Sequence, residues 1–389
     1  MSVEILFNGK NFKVQEASSY TSLEKGFFGV KSLKEKSTLD LDTFEAMYLN
    51  EVRNALIFNS KTLKPISFNE LAGKHSNEEK FLAKYFAFKD WRDKGLIARN
   101  ISEAKEHYGK SPVIKYPDNS VKLPKLSKTK ILFFKDDLMG VIDDNEVAAN
   151  LYEQYWLGQY GTYKARKHGQ YGKLDAYETL FLIRNAKMKC NYSEKQIIKQ
   201  ASLRRKDFKS LYSVYEEWRL KNYVVKTGFK FGTHFRLYFP GAKPVLDTEE
   251  WMHSKHVIQV FPRQAKLIIS EWSRAIRVAH GVKKTFILAI PGKKKNTKAK
   301  LDFLLYYRHG GNSDKPNIEQ PKYAMLALSE EEEIGGNELS RAIQESKELG
   351  LDLLLAICDR ETAITYYRIK RIELPKSQFE YYEIEWMQP

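Results

Sequence analysis

Over positions 238 to 284 the chain offers a phenol, an imidazole and an ammonium: Tyr238, His253 or His256, and Lys284. Three such groups can together cleave RNA without a metal. One removes the proton of the ribose 2′-hydroxyl, one protonates the departing 5′-oxygen, and a cation meets the extra negative charge on phosphorus. Imidazole is the natural proton donor, because its unperturbed pKa is about 6.5. Each residue also has a plainer explanation. Tyr238 is one of 23 tyrosines, His253 stands beside a turn, and Lys284 follows Lys283 at a helix end, where the helix dipole favours a cation. Spacing alone leaves both explanations open.

Other chemistries find less support. The sequence has no HExxH, no Cys/His cluster and no G-x4-GK[ST] loop, since AGKHS (Ala72 to Ser76) lacks the earlier glycine. PGKKKNTKAK (Pro291 to Lys300) offers lysines to a phosphate without a glycine-rich cradle. A restriction-type metal nuclease wants two carboxylates beside a lysine, and Asp302 is the candidate acid near Lys284. Cys190 and Cys358, the two cysteines, are far apart in sequence, which excludes a disulfide framework or a Cys-based zinc site and fits a reducing compartment. The opening MSVEILFNGKNFKVQ has no apolar core of a signal peptide, and no stretch approaches eighteen apolar residues. The expectation is a cytoplasmic protein with no membrane contact. Against 49 Asp+Glu stand 65 Lys+Arg, a net charge of +16 that favours a polyanionic partner. A chain of 389 residues has room for two to four domains.

The elements that must position the three residues come from two internal duplications. GFFGVKSLKEKSTLDLDTFEAMYL from Gly26 parallels GQYGTYKARKHGQYGKLDAYETLFL from Gly158, matching Glu45 to Glu178, Tyr48 to Phe181 and Leu49 to Leu182. Further on, Lys84 to Asn100 parallels Ser210 to Gly228, with Trp91 matching Trp218. Tyr212, Tyr215 and Trp218 have helical spacing before YVVK turns to strand character. Each copy reads as a small helical unit whose last helix feeds a strand. The second duplication aligns SRAIRVAHGVKKTFILAI (Ser273 to Ile290) with SRAIQESKELGLDLLLAI (Ser340 to Ile357) without a gap. FILAI and LLLAI are continuous apolar runs that suit a sheet covered on both faces. In this alignment Arg277 faces Gln344, His280 faces Lys347 and Lys284 faces Leu351. The first copy therefore reads as active and the second as structural.

YVVKTGFKFGTHFRLYFPG, the HSK block and RVAHGVKK before its buried strand resemble the archaeal tRNA-splicing endonucleases, as does the Gly-aromatic-Gly…EAxYL pattern of the N-units. The likeness runs from about residue 1 to residue 372, and the arrangement resembles the three-unit, single-chain type that works as a homodimer. It implies an α+β fold of duplicated small helical N-units and duplicated αβ nuclease-like C-units with mixed central sheets. The expected division is a degenerate N-unit over 1–110, a linker over 111–130, the N-terminal domain of the catalytic unit over 131–228, its catalytic C-terminal domain over 229–312 and a degenerate structural unit over 313–389. The implied activity is removal of introns from precursor tRNA at bulge–helix–bulge motifs, without metal or other cofactor, leaving 2′,3′-cyclic phosphate and 5′-hydroxyl ends. Tyr238 would be the general base, His253 (which opens the HSK block) the general acid, and Lys284 the transition-state stabiliser. The competing functions are a non-catalytic, tRNA-binding subunit and a metal-dependent DNA junction nuclease.

The resemblance also implies a base clamp of two arginines, for which Arg277 and Arg308 are the matches. A planar guanidinium suits stacking on a base. In the basic stretch Thr162 to Lys173, Lys164, Arg166 and Lys167 are expected to contact RNA phosphates. After LLLAI the second copy carries Cys358-Asp-Arg-Glu, where the first carries Pro291-Gly-Lys-Lys-Lys. By the family's pattern, Asp359 and Glu361 would dock into a basic pocket across the homodimer.

Overall fold

The structure, a computed structural model, describes residues 3–32, 35, 37–105, 107–163, 168–245, 250–293, 301–309 and 311–389. Its frame is one mixed sheet. In chain order the strands are β1 (Ile97–Asn100), β2 (Val224–Thr227), β3 (Phe235–Tyr238), β4 (His256–Val260), β5 (Thr285–Ile290), β6 (Phe303–Tyr306), β7 (Tyr323–Ser329), β8 (Asp352–Cys358), β9 (Ile364–Glu373) and β10 (Glu380–Met387). Across the sheet they run β2-β3-β4-β5-β10-β9-β8-β7-β6-β1, with Val113–Lys115 added beside β9. The two ends mirror each other. β2 to β5 pair antiparallel, antiparallel, parallel, and so do β1, β6, β7 and β8.

Alternate residues of each strand enter different cores, as a period of two requires. Ile287 and Ala289 of β5 face one side, and Phe286, Leu288 and Ile290 face the other. The second side is covered by α5 (Ile269–Gly281) and α6 (Gly336–Glu348), which contribute Trp272, Ile276, Leu339 and Ile343. The N-units cover the first side. One packs α1 (Thr43–Arg53) and α2 (Phe81–Asp93) near β6 to β8, and the other packs α3 (Ala176–Asn185) and α4 (Phe208–Leu220) near β3 to β5. The buried apolar runs FILAI and LLLAI are thus sheet interior on both faces.

Three features depart from the sequence reading. Each N-unit also contains a five-stranded sheet, and the two sheets share one strand order. Their strands are two to five residues long, too short to carry a readable period. Next, Gly29 rather than Gly26 corresponds to Gly158: each donates its backbone N–H to the matched glutamate, Glu45 or Glu178, at 2.9 Å. Both glycines have positive φ, and a Cβ on Gly158 would lie 2.8 Å from the Lys173 carbonyl oxygen. Finally, two strands leave the half that precedes them in sequence. β6, which follows the first αβ copy, pairs with β7 and β1, while β10 at the end of the chain pairs with β5.

Candidate active site

Helix α3 begins with a capping box, Asp175 accepting from the Glu178 N–H and Glu178 reaching back to the Asp175 N–H. The same Glu178 carboxylate holds the Gly158 N–H and the Lys226 ammonium, the latter at 2.7 Å. Burial pushes the Lys226 ammonium below its ordinary pKa while Glu178 pulls the other way. This ion pair floors a cavity of about 540 Å³ whose walls include Trp156, Tyr163, Arg236, Tyr238, Trp251 and His253.

Tyr238 ends β3 with its ring against Trp156, centroids 4.6 Å apart. Its hydroxyl receives the Arg236 Nη1 at 3.3 Å and stands near the Ser254 side chain. Burial raises the phenol's pKa, and Arg236 and Ser254 oppose that rise. Lys284 sits where α5 turns into β5. The turn uses Lys283 at a positive φ and bonds the Lys284 N–H to the Ala279 carbonyl at 2.9 Å. The Lys284 ammonium donates to the Ser254 carbonyl and, at 3.2 Å, to the Ser254 hydroxyl, with the Phe231 ring 4.6 Å away. Burial, then Arg236, lowers its pKa. Buried Ser254 thus stands between phenol and ammonium, and His253, its neighbour, is exposed at the cavity wall.

His256 lies apart from this cavity. It takes its place in β4 between Leu237 and Thr285, with its ring against Phe239 (4.9 Å) and Tyr116 (6.2 Å). Burial, then Lys255 and Lys284, lowers its pKa to about 4. Arg277 is exposed on α5 beside Tyr367 of β9. Arg308 is exposed beyond β6, donating to the Lys94 carbonyl at 2.8 Å. Within one chain neither arginine lines the Tyr238 cavity. Asp302 belongs to the other half, paired with Lys84 at 3.3 Å and accepting from the Ala327 N–H, so it does not join Lys284. No group of three His, Cys, Asp or Glu able to hold a metal ion occurs among the described residues. Asp359 closes the β8–β9 turn by accepting from the Glu361 and Ala363 N–H groups, both at 2.9 Å, and Glu361 is exposed. Lys164, Arg166 and Lys167 lie outside the described residues.

Residues 208–299 match the family described as tRNA intron endonuclease, catalytic C-terminal domain. The tRNA-splicing endonuclease of Methanopyrus kandleri is 31% identical over 156 residues, 39% of this chain and 81% of the relative. That of Thermococcus kodakarensis is 33% identical over 139 residues, 33% of this chain and 78% of the relative. That of Pyrobaculum islandicum is 30% identical over 175 residues, 42% and 92% of the two chains. The chain belongs to the tRNA-splicing endonuclease family.

This endonuclease has two sheet halves of one pattern, the second with altered residues. Strand register identifies the counterparts. Val224 faces Tyr238 in β2–β3 and Ile97 faces Tyr306 in β1–β6, so Tyr306 stands where Tyr238 does. Counting from the next pairs, His256 beside Leu237 and Tyr323 beside Leu305, His253 corresponds to Gln320 and Ser254 to Pro321. Thr285 and Asp352 are equivalent, so Leu351 replaces Lys284. The altered copy keeps the phenol and lacks the imidazole and the ammonium. Among the described residues no helix is long and apolar enough to cross a membrane.

Proposed function

We propose that this endonuclease cuts precursor tRNA at bulge–helix–bulge motifs by metal-independent transesterification. The observation that carries the reading is the meeting of Tyr238 and Lys284 at Ser254, with His253 next in the chain and on the same cavity. Tyr238 takes the 2′-hydroxyl proton, the 2′-oxygen attacks phosphorus, and His253 protonates the leaving 5′-oxygen while Lys284 meets the charge on the phosphorane. The products are a 2′,3′-cyclic phosphate and a 5′-hydroxyl. His253 suits the acid role because it is exposed at the cavity, whereas His256 is packed between aromatic rings.

The assembly proposed is a cytoplasmic homodimer of three-unit chains, in which the half with Gln320 and Leu351 is structural. Arg277 and Arg308 do not meet within a chain, so a base clamp built from them draws on both protomers. Asp359 and Glu361 dock across the same dimer, and the loop bearing Lys164, Arg166 and Lys167 contacts RNA phosphates. Incubation of the pure protein with a bulge–helix–bulge RNA in excess EDTA, with analysis of the termini, tests the chemistry. Cleavage with cyclic phosphate ends supports it, and cleavage only on addition of magnesium overturns it.

A further inference from the structure

Arg236 stands two residues before Tyr238 on β3, so both side chains leave the sheet on one face. Its Nε–H donates to the Thr227 carbonyl across the hairpin at 2.8 Å, which fixes the guanidinium, and Nη1 donates to the Tyr238 oxygen. The cross-strand neighbour Lys226 is taken by Glu178 and the Gly158 carbonyl. Arg236 therefore supplies the cation that faces the phenol directly. We infer that Arg236 readies Tyr238 to accept the 2′-hydroxyl proton, by holding a guanidinium against the oxygen that must carry negative charge. The inference rests on the proposed role of Tyr238 as base.

The step balances as follows. The Tyr238 phenolate takes the 2′-hydroxyl proton and becomes a phenol, and the 2′-oxygen bonds to phosphorus. The bond from phosphorus to the 5′-oxygen breaks, and the His253 imidazolium gives that oxygen its proton. A phenol with an ordinary pKa near 10 is a poor base at neutral pH, and burial alone makes Tyr238 a poorer one. Arg236 and Ser254 act against that burial, and Tyr163 adds to it. The other charged groups around the ring are Lys284 through Ser254, His253 at the cavity wall, and the Lys226–Glu178 pair with Asp175 at its floor.

The altered half supplies an internal comparison. Lys226 faces Arg236 in β2–β3, and Arg99 faces Leu304 in β1–β6. The buried ion pair survives in both copies, as Lys226–Glu178 at 2.7 Å and Arg99–Glu45 at 2.9 Å. That pair therefore serves the fold. Arg236 is replaced by Leu304 in the same half that has Gln320 for His253 and Leu351 for Lys284. A cation needed to hold the sheet would be expected in both copies, whereas one needed for proton transfer can disappear with the rest of the chemistry.

Single-turnover cleavage of a bulge–helix–bulge RNA by the full chain, across pH 5.5 to 9.5, tests this with Arg236→Gln and Arg236→Lys. Rates are read as the ratio of variant to parent; Arg236 also lowers the Lys284 pKa, so its removal favours the Lys284 ammonium and works against the expected loss. Removing a cation at this distance should raise the phenol's pKa by about one unit or more, so Arg236→Gln should lose about tenfold or more near pH 7. The deficit should persist across this range, because burial holds the phenol's pKa above its ordinary value, with Arg236→Lys intermediate and RNA affinity changing less than the rate. A loss that Arg236→Lys does not partly restore, or one confined to RNA affinity, would overturn the inference by making Arg236 a packing or phosphate contact. Tyr238→Phe is run in parallel. If it cleaves normally, the proposed base is wrong; if it is inactive while the Arg236 variants keep the parental rate, only the role of Arg236 fails.

Discussion

Glu178→Gln is the sharpest test of how this active site is supported. It leaves Lys226 buried beneath the cavity without its carboxylate, side-chain exposures in the pair being 13% and 6%. The lysine can escape the penalty by giving up its proton, which sets a ceiling. From an ordinary pKa of about 10.4, deprotonation costs roughly 4.6 kcal/mol at pH 7 and roughly 1.9 kcal/mol at pH 9. The substituted amide can still accept from the Asp175 N–H, as Gln196 does from the Ser193 N–H, so the reciprocal cap adds little to the loss. Breaking a buried pair by removing one partner typically costs about 3–5 kcal/mol, consistent with this ceiling. In the variant the folded-state pKa of Lys226 is depressed further below the unfolded value. The unfolded chain then binds more protons than the folded one, so the variant's stability rises with pH and its deficit shrinks.

Urea unfolding followed by tryptophan fluorescence reads this directly, because Trp156 lines the same cavity. With a slope of ~3 kcal/mol per molar, the midpoint should fall by roughly 1.5 M at pH 7 and by about two-fifths of that at pH 9. Glu178→Met combined with Lys226→Met should recover most of the loss, since no charge remains buried. The matched variant Glu45→Gln supplies the contrast. Arg99 keeps Glu103 at 3.1 Å and the Gly29 carbonyl at 2.7 Å, and a guanidinium cannot escape by deprotonation. Its deficit should be smaller and flat in pH. A Glu178→Gln deficit below ~1 kcal/mol, or one that does not change between pH 7 and 9, would refute the reasoning.

Lys284→Ala should lower the cleavage rate by several orders of magnitude while RNA binding, carried by the distributed +16 charge, changes little; parallel losses of rate and affinity would contradict a transition-state role. His253→Ala should cost roughly 10²–10⁴-fold in rate, whereas His256→Ala should lower thermal stability, its ring being packed on Phe239, and leave most of the rate; the reverse pattern would exchange the two histidines. Asp359→Ala with Glu361→Ala should weaken the dimer by roughly 2–5 kcal/mol and depress cleavage with it. Sedimentation at micromolar concentration checks this, and a fully dimeric, fully active double variant would leave the segment as the turn that Asp359 already closes.

Local signals in the sequence carried far when the physics is local. The capping boxes at Asp42–Glu45 and Asp175–Glu178 set matched helix starts, and the runs at Phe286–Ile290 and Leu353–Ile357 lie between two cores. Strand partnership is not local. Nothing in LDFLLYYRH or EYYEIEWM tells which edge each strand will join, because backbone hydrogen bonds are indifferent to side chains and the choice is settled by packing across the whole sheet. Arg236 is hard to single out in the sequence for a related reason. In HFRLY an arginine alternating with apolar residues has the pattern of a solvated strand face, and the signal that sets it apart is the shared face with Tyr238 two residues on.

The altered half shows why chemistry and fold separate so cleanly in this chain. Leu304 and Leu351, which stand in for Arg236 and Lys284, are both buried in the core beneath the helical layer. Each takes the place of a cation in the other half, and each returns apolar area to the core, worth about 1.5–3 kcal/mol for a fully buried leucine. The change at Lys284 touches the end of a helix and the change at Arg236 touches one strand face, so neither disturbs the alternate residues on which the N-unit packs. Once one half supplies the reaction, stability favours apolar residues at these positions in the other. Tyr306 is kept because its counterpart role is packing as well as chemistry, its ring being only 6% exposed. By this argument the residues that differ between the halves mark the cost of catalysis, and Arg236 is among them.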